Sequence, residues 1–330
     1  MKGLFKVMAA ILALVLAALA GGAWWLWRAD SMEPPVLAGV IERGSLQHGG
    51  HARSWQAFIP RRTAGPAPLV LVLHGPRGDG QRMLEGTRYG FNILAEREGF
   101  IAVYPDGFEQ HWNDCRAGAA YSANVQDIDD VGFLLSLIDS LAREHDVDLS
   151  RVYVVGMSNG GQMAYRMGLE APDSVAGIAA IAANLPVLEN LDCEPVGQPM
   201  QALIINGTED PINPYEGGVV KIASDASRGL VRSAPESARY WAQLAGYPGR
   251  GERRVWPDRD PRDSTTVESL SWAAAGRPPV GLVTVIGGGH TIPHTRYRLP
   301  PILGRTSSEF DAAELIWAFF SSGLLPPGET

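Results

Sequence analysis

The run Arg151-Val152-Tyr153-Val154-Val155 leads into Gly156-Met157-Ser158-Asn159-Gly160-Gly161, and a helical pattern follows over Gln162–Leu169. A strand entering a sharp glycine-bounded turn, with a helix leaving it, narrows the possible folds more than any other stretch of this chain. Without a Cβ at Gly156 and Gly160, strand and helix can pass very close, and Ser158 is lifted with its Oγ exposed. The same hydroxyl sits at a helix N-terminus, where free backbone N–H groups and the dipole favour developing negative charge. A G-x-S-x-G string also arises by chance, and a glycine-rich helix cap is the alternative. The flanking strand and helix favour a nucleophile.

The rest of the chain alternates short apolar runs with helical patterns. Strands are expected at Trp55–Pro60, Leu69–Leu73, Ile101–Tyr104, Val152–Val155, Ile178–Ala182, Gln201–Ile205 and Leu282–Ile286. Several are continuously apolar, as strands buried on both faces of a mostly parallel sheet are. In Asp130–Glu144 the apolar residues Val131, Leu134, Leu135, Ile138 and Leu141 recur at helical spacing. Thr306-Ser307-Ser308-Glu309 reads as a capping box opening a last helix. The order predicts an α/β fold with a mostly parallel central sheet and helices on both faces. Its expected extent is residues 46–325, after a spacer over 29–45. The stretch Gly249–Pro279, rich in Arg, Asp and Pro, is expected to be a surface loop with a short strand at Thr265–Trp272, and Asp258, Asp260 and Asp263 are expected to be solvated.

A serine hydroxyl needs a base, and the base needs an orienting acid. In this fold both follow the nucleophile, on loops after late strands. The strand at 201–205 ends in Asn206-Gly207-Thr208-Glu209-Asp210-Pro211, and the one at 282–286 ends in Gly287-Gly288-Gly289-His290. Asp210 is the expected acid, with Glu209 the alternative. His290 is the expected base; His294 lacks the strand-then-glycine context. His48, His51, His111 and His145 show no metal-ligand spacing, so no metal or other cofactor is expected. An oxyanion hole should use the Asn159 N–H and a donor from the loop Leu73-His74-Gly75-Pro76-Arg77-Gly78. Pro76 has no N–H, so Arg77 is the expected donor.

Lys2 and Lys6 precede an uncharged run, Val7–Trp27, ending in Trp24, Trp25, Trp27 and Arg28. As a helix it would span about 31 Å, close to a bilayer's hydrocarbon thickness. Residues 1–28 are therefore expected to be a signal anchor. A signal peptide cleaved after Ala18-Leu19-Ala20 is the rival. Either way the catalytic domain lies outside the cytoplasm, anchored or secreted. Such a setting is oxidising, so the two cysteines, Cys115 and Cys193, suggest one disulfide, with two buried thiols the alternative. The chain has 36 acidic against 28 basic residues and a net charge of −8. Residues 1–28 hold three bases (Lys2, Lys6 and Arg28) and no acid, so the rest of the chain carries 25 bases against 36 acids, a net charge of −11; phosphate backbones would be repelled, and nucleic acid is not an expected partner.

Ordered along residues 50–320 stand Leu73-His74-Gly75, Val103-Tyr104-Pro105-Asp106-Gly107, Trp112-Asn113, Asp129-Asp130-Val131-Gly132-Phe133, Gly156–Gly161, Gly207–Pro211 with Pro214-Tyr215, and Gly288-Gly289-His290-Thr291. As an ordered set these resemble the polyhydroxybutyrate depolymerase-like and feruloyl esterase-like branch of the α/β-hydrolases. The resemblance implies a serine esterase with a Ser158–Asp210–His290 triad. It also implies that the cysteine after Trp112-Asn113 pairs with the one before the acid strand. Two departures stand out: Pro76 at the expected oxyanion donor, and Ile292 and His294 where the family has Trp and Gly. Asn159 follows the nucleophile as in feruloyl-type members, where polymer depolymerases tend to have Ala. The expected activity is hydrolysis of small or oligomeric esters of hydroxyalkanoate, feruloyl or acetyl-carbohydrate type. Trp112, Tyr215 and Ile292 are candidate pocket residues, with plain packing the alternative for the two aromatics. An acyltransferase on the same triad and a catalytically idle anchored binding module are the competing functions.

Overall fold

The computed structural model describes residues 2–325, apart from the side chains of residues 2–5, 7, 9 and 10. After helix α1 (Lys2–Trp27), a hairpin of β1 (Val40–His48) and β2 (His51–Ile59) opens the folded body. Its turn is Gly49-Gly50, both at positive φ (55° and 82°), as a tight two-residue hairpin requires. The sheet therefore starts at Val40, within the stretch expected to be spacer.

Next come β3 (Ala67–Leu73), α2 (Gly80–Gly86), α3 (Gly90–Glu98), β4 (Ile101–Pro105), α4 (Ser122–Val125), α5 (Asp130–Glu144), β5 (Val147–Met157) and α6 (Asn159–Glu170). They are followed by β6 (Gly177–Ile181), β7 (Gln201–Gly207), a small ribbon of β8 (Gly218–Val219) and β9 (Leu230–Val231), and α7 (Ala234–Leu244). The chain closes with β10 (Glu252–Val255), β11 (Thr266–Ala274), β12 (Arg277–Ile286) and α8 (Ala312–Ser322).

Ten strands form one sheet in the order β1-β2-β4-β3-β5-β6-β7-β12-β11-β10. The six from β4 to β12 are parallel, and the pairs at both margins are antiparallel. Strand β3 shows why the centre reads as unbroken apolar sequence. Leu69, Leu71 and Leu73 face one layer with Phe133, Met163, Tyr165 and Trp241 of α5, α6 and α7. Val70 and Val72 face the other with Met83, Phe91, Leu94, Ile316 and Phe319 of α2, α3 and α8. Both faces are covered, so neither can be polar.

Three local expectations are corrected. The stretch 249–279 holds more strand than expected: the strand expected at Thr265–Trp272 is present as β11, but β10 precedes it, β11 pairs antiparallel with β12, and between β10 and β11 only residues 256–265 lie outside strands. Asp263 is buried, its carboxylate accepting from Thr265 and Ser308. The last helix is capped by Asp311, which accepts from the N–H groups of Ala313 and Glu314, not by Thr306. The polar run 306–309 braces neighbouring loops instead. Thr306 Oγ1 accepts from the Leu299 N–H, Ser308 bonds Asp263, and Glu309 accepts from the backbone of Arg259 and Asp260.

The described side chains of α1 are solvent-exposed. Among the described residues no helix is long and apolar enough to cross a membrane. The anchor expected over Val7–Trp27 thus finds no support there; the side chains of Val7, Ala9 and Ala10, and all of Met1, lie outside the described residues.

Candidate active site

Strands β5, β7 and β12 run parallel, so the segments leaving their C-terminal ends share one edge of the sheet, the edge where open α/β sheets place their sites. Ser158 leaves β5, Asp210 follows β7 and His290 follows β12. The edge is stitched across by backbone bonds from Ser158 N–H to Ile181 O, from Ala182 N–H to Ile205 O, and from Glu209 N–H to Gly288 O, each 2.9 Å.

Ser158 has φ 55° and ψ −117°, a backbone state that costs a residue with a Cβ and persists only where its surroundings impose it. The surroundings are the two glycines. A Cβ at Gly156 would collide with the carbonyl of Gly160, and one at Gly160 with the carbonyls of Leu73 and His74. Strand, turn and helix are therefore locked in contact, and Ser158, unlike buried Asn159, stays partly open to solvent.

Asp210 and His290 are brought together. The carboxylate Oδ2 lies 2.7 Å from His290 Nδ1, while Oδ1 accepts the N–H groups of Ile212 (2.7 Å) and Asn213 (2.8 Å). Both side chains are almost fully buried. The carboxylate is thus fixed in orientation and aimed at one ring nitrogen. The neighbouring Glu209 turns outward and pairs with Arg305 at 2.5 Å, and His294 pairs with Asp311 at 3.1 Å. Neither alternative joins the site. Among the described residues no hydrogen bond links Ser158 Oγ to the imidazole.

The loop after β3 departs from expectation. Arg77 donates its N–H to Gln110 O at 2.9 Å, so that donor is taken and Arg77 is corrected as an oxyanion residue. The reason is a tight turn: Gly78 N–H donates to Gly75 O at 3.2 Å, with Pro76 and Arg77 between, and Arg77 has φ 60°. Proline followed by a positive-φ residue is type II turn chemistry, and it rotates the 76–77 peptide toward residue 110. Gly75 is what lies beside Ser158: a Cβ built there would be 3.6 Å from Ser158 Cβ.

His74 supports this loop as a neutral ring. Nδ1 bonds Gly75 O at 2.7 Å, and Nε2 accepts the Gly107 N–H at 2.9 Å. Burial pushes its pKa down, which suits a ring that must accept on one side.

The candidate pocket residues are redistributed. Trp112 is fully buried; its indole N–H donates to His74 O at 3.0 Å and its ring lies against His74. It packs under the loop and walls no open pocket. Ile292 is also buried, within the layer that holds α8. Tyr215 is half-buried with its hydroxyl 2.8 Å from Thr284 Oγ1.

A clamp that the sequence motifs do not announce holds the start of α6. Asn159 Oδ1 accepts from Trp112 N–H (2.8 Å), and its Nδ2 donates to Trp112 O (3.0 Å) and to Asp114 Oδ2 (2.6 Å). Asp114 is in turn held by Arg116, and all are buried. Between them Cys115 is disulfide-bonded to Cys193, with Cα atoms 5.0 Å apart. The remaining histidines serve elsewhere: His48 pairs with Asp129 and His145 with Glu42, while His51 and His111 lie against Phe108 and Tyr121. No cluster suited to a metal ion occurs among the described residues.

The sequence model of the family described as Esterase PHB depolymerase matches residues 54–186. The protein named "Putative esterase NocK" from Nocardia uniformis subsp. tsuyamanensis is 30% identical over 303 residues, 88% of this chain and 85% of that one. Feruloyl esterase B from Piromyces equi is 27% identical over 232 residues, 68% of this chain and 39% of its own. Poly(3-hydroxybutyrate) depolymerase from Ralstonia pickettii is 31% identical over 185 residues, 52% and 34% of the respective chains. The chain thus spans most of the first relative but well under half of the other two. Among solved structures, the acetyl xylan esterase from Aspergillus awamori superposes with a TM-score of 0.54 at 16% identity over 78% of this chain and 96% of that one, a likeness of fold.

Proposed function

This chain belongs to the esterase family of the PHB depolymerase type and is a carboxylic ester hydrolase, and on that premise we propose that it works through Ser158, His290 and Asp210. The observation that carries the reading is the Asp210–His290 pair, 2.7 Å apart, on the sheet edge that also holds Ser158 in its strained turn. Asp210 accepts from Nδ1–H and so leaves Nε2 as the basic nitrogen. Ser158 Oγ attacks the ester carbonyl carbon while its proton passes to Nε2. The tetrahedral oxyanion is held by the N–H groups of Asn159 and Gly75. Collapse breaks the bond to the alcohol, which leaves with the proton from His290. Water then gives a proton to His290 and attacks the acyl carbon; collapse breaks its bond to Ser158 Oγ, which takes that proton back from His290, and frees the acid. The contact between Ser158 and His290 tightens on substrate binding, as free-enzyme hydrogen bonds of this kind do.

The substrates fitting this reading are small or oligomeric esters of the feruloyl, acetyl-carbohydrate or hydroxybutyrate class, the classes in the relatives' names. The catalytic domain acts outside the cytoplasm. The Cys115–Cys193 disulfide needs an oxidising compartment, and Lys2 and Lys6 ahead of an uncharged run suit an export signal.

Fluorophosphonate labelling together with nitrophenyl acetate turnover tests the site. Ser158→Ala and His290→Ala should each lower turnover by about 10⁴–10⁶ with the fold intact, and Ser158→Ala should abolish labelling. A Ser158→Ala variant that keeps more than about 1% of activity overturns the assignment.

A further inference from the structure

A cavity of about 660 Å³ lies between α3, the start of α8 and the loop 294–297. Ser158, Asp210 and His290 do not line it. Its body is apolar, with Ile93, Trp256, Phe310 and Leu315 among the lining side chains, and Met32 reaching in from the segment before β1. Apolar walls with a few convergent polar groups are what small-molecule sites have.

The polar groups differ by sign. The lining carboxylates are already engaged within the protein. Asp311 pairs with His294 and caps α8, Glu309 accepts two backbone N–H groups, and Glu314 pairs with Arg97. The lining guanidiniums are not. Arg88, Arg259 and Arg296 have no carboxylate within ion-pair distance among the described residues. Arg88 is the telling one. It is only 9% exposed, and its guanidinium has one long bond, 3.5 Å, to Arg298 O and lies 5.7 Å from the centre of the Tyr297 ring. Asp30 and Glu85 face it from beyond contact distance. Arg88 and Tyr89 also both have positive φ (53° and 57°), so the backbone is held in an unfavourable state at the residue that brings this charge to the cavity. A nearly buried cation with no anion in contact is costly to maintain.

We propose that this cavity is a second binding site, separate from the catalytic serine, for a monocarboxylate with an apolar alkyl or aryl body. Its carboxylate would pair with Arg88, and its body would lie along Ile93, Trp256 and Leu315. This is the chemical class of acid that an ester hydrolase releases, and the site rests on that activity only for the supply of ligand. The loop from His290 to Tyr297 joins the two sites, so an occupant against His294 and Tyr297 bears on the segment carrying the catalytic imidazole.

Calorimetric titration of the full chain with decanoate, decanol and acetate tests the proposal, with nitrophenyl acetate turnover followed in parallel. Decanoate should bind at least tenfold tighter than decanol, which lacks the charge, and acetate, which lacks the body, should bind weakest. Arg88→Gln should weaken decanoate about tenfold or more, the scale of a charged hydrogen bond, and leave turnover within twofold. Ile93→Trp, which fills the cavity without touching the charge, should also remove binding, and it decides the matter if Arg88→Gln does not fold. Decanoate binding equally to wild type and both variants, competing with nitrophenyl acetate, or failing to bind at 1 mM would each overturn the site. Loss of turnover in Ser158→Ala bears only on the triad, so the two readings fail separately.

Discussion

The Asp114 carboxylate accepts a hydrogen bond at 2.6 Å from Asn159, the residue that follows Ser158 in the nucleophile turn. Asn159 is expected to donate its backbone N–H to the oxyanion, so whatever fixes its side chain fixes that donor. The fixing group is buried and ionic: Asp114 is completely buried and paired with buried Arg116. Removing one partner of such a pair leaves an uncompensated charge and costs about 3–5 kcal/mol. Asp114→Ala should lower stability by that order in urea unfolding. In whatever fraction stays folded, it should reduce kcat more than it raises KM. An unchanged kcat would show that the clamp is structural only.

The disulfide acts on the same segment. Cys115 sits between Asp114 and Arg116, and its bond to Cys193 closes a loop of sequence separation 78. Closing so long a loop stabilises by roughly 4–4.5 kcal/mol in the chain-entropy model, an upper figure. Reduction should shift the urea midpoint down and loosen the Asn159 clamp, so kcat should fall before the fold is lost. Equal urea midpoints with and without reductant would contradict this.

Gly75→Pro tests the proposed Gly75 donor, and Arg77→Gly tests the turn beside it. If the Gly75 N–H is the second donor, Gly75→Pro, which removes it, should lower kcat by about 10²–10³, the cost of one oxyanion donor, with unchanged circular dichroism. Arg77→Gly keeps the bond to Gln110 and relieves a positive φ. It should raise stability by about 0.5–1 kcal/mol and leave turnover within twofold. An unchanged kcat in Gly75→Pro would take Gly75 out of the oxyanion hole.

Asp210 and Glu209 are adjacent in sequence and opposite in environment. Asp210→Asn removes the acceptor that sets the His290 tautomer, and should lower kcat by about 10⁴. Glu209→Gln breaks only an exposed pair with Arg305, worth at most about 1 kcal/mol, and should leave kcat unchanged.

His74 makes stability pH-dependent. Burial lowers its folded-state pKa below the ordinary value of 6.5, so near and below that value the unfolded chain binds more protons than the folded one. Stability should then be complete above about pH 6.5 and fall as pH drops below it. Comparing urea midpoints at pH 7.5 and 5.5 checks this, and His74→Gln should show a smaller drop between the two than wild type.

The export reading is checked by fractionation and N-terminal sequencing. A mature protein beginning near Gly21 identifies a cleaved signal, and one retaining residues near Met1 in the membrane pellet identifies an anchor. Catalytic domain found only in the cytoplasm contradicts export altogether.

What the amino-acid sequence determines here is whatever its near neighbours along the chain impose. Gly156 and Gly160 demand the close strand–helix passage because any Cβ there meets backbone. The unbroken apolar runs at 69–73 and 202–205 demand burial on both faces, so a parallel centre follows, and with it the shared edge for the segments around Ser158, Asp210 and His290. Contacts between distant segments decided the rest. The Arg77 amide was lost to Gln110, and Trp112 went beneath His74 instead of lining a pocket. Ser308 and Glu309 left the helix cap to Asp311 because Asp263 and the backbone at 259–260 offered them partners. A side chain's hydrogen-bonding capacity is visible in its residue type, but its partner is set by which loops the sheet brings to the same place. The Asn159–Asp114–Arg116 clamp and the Arg88 cavity are of that second kind, and only the assembled layers bring them into being.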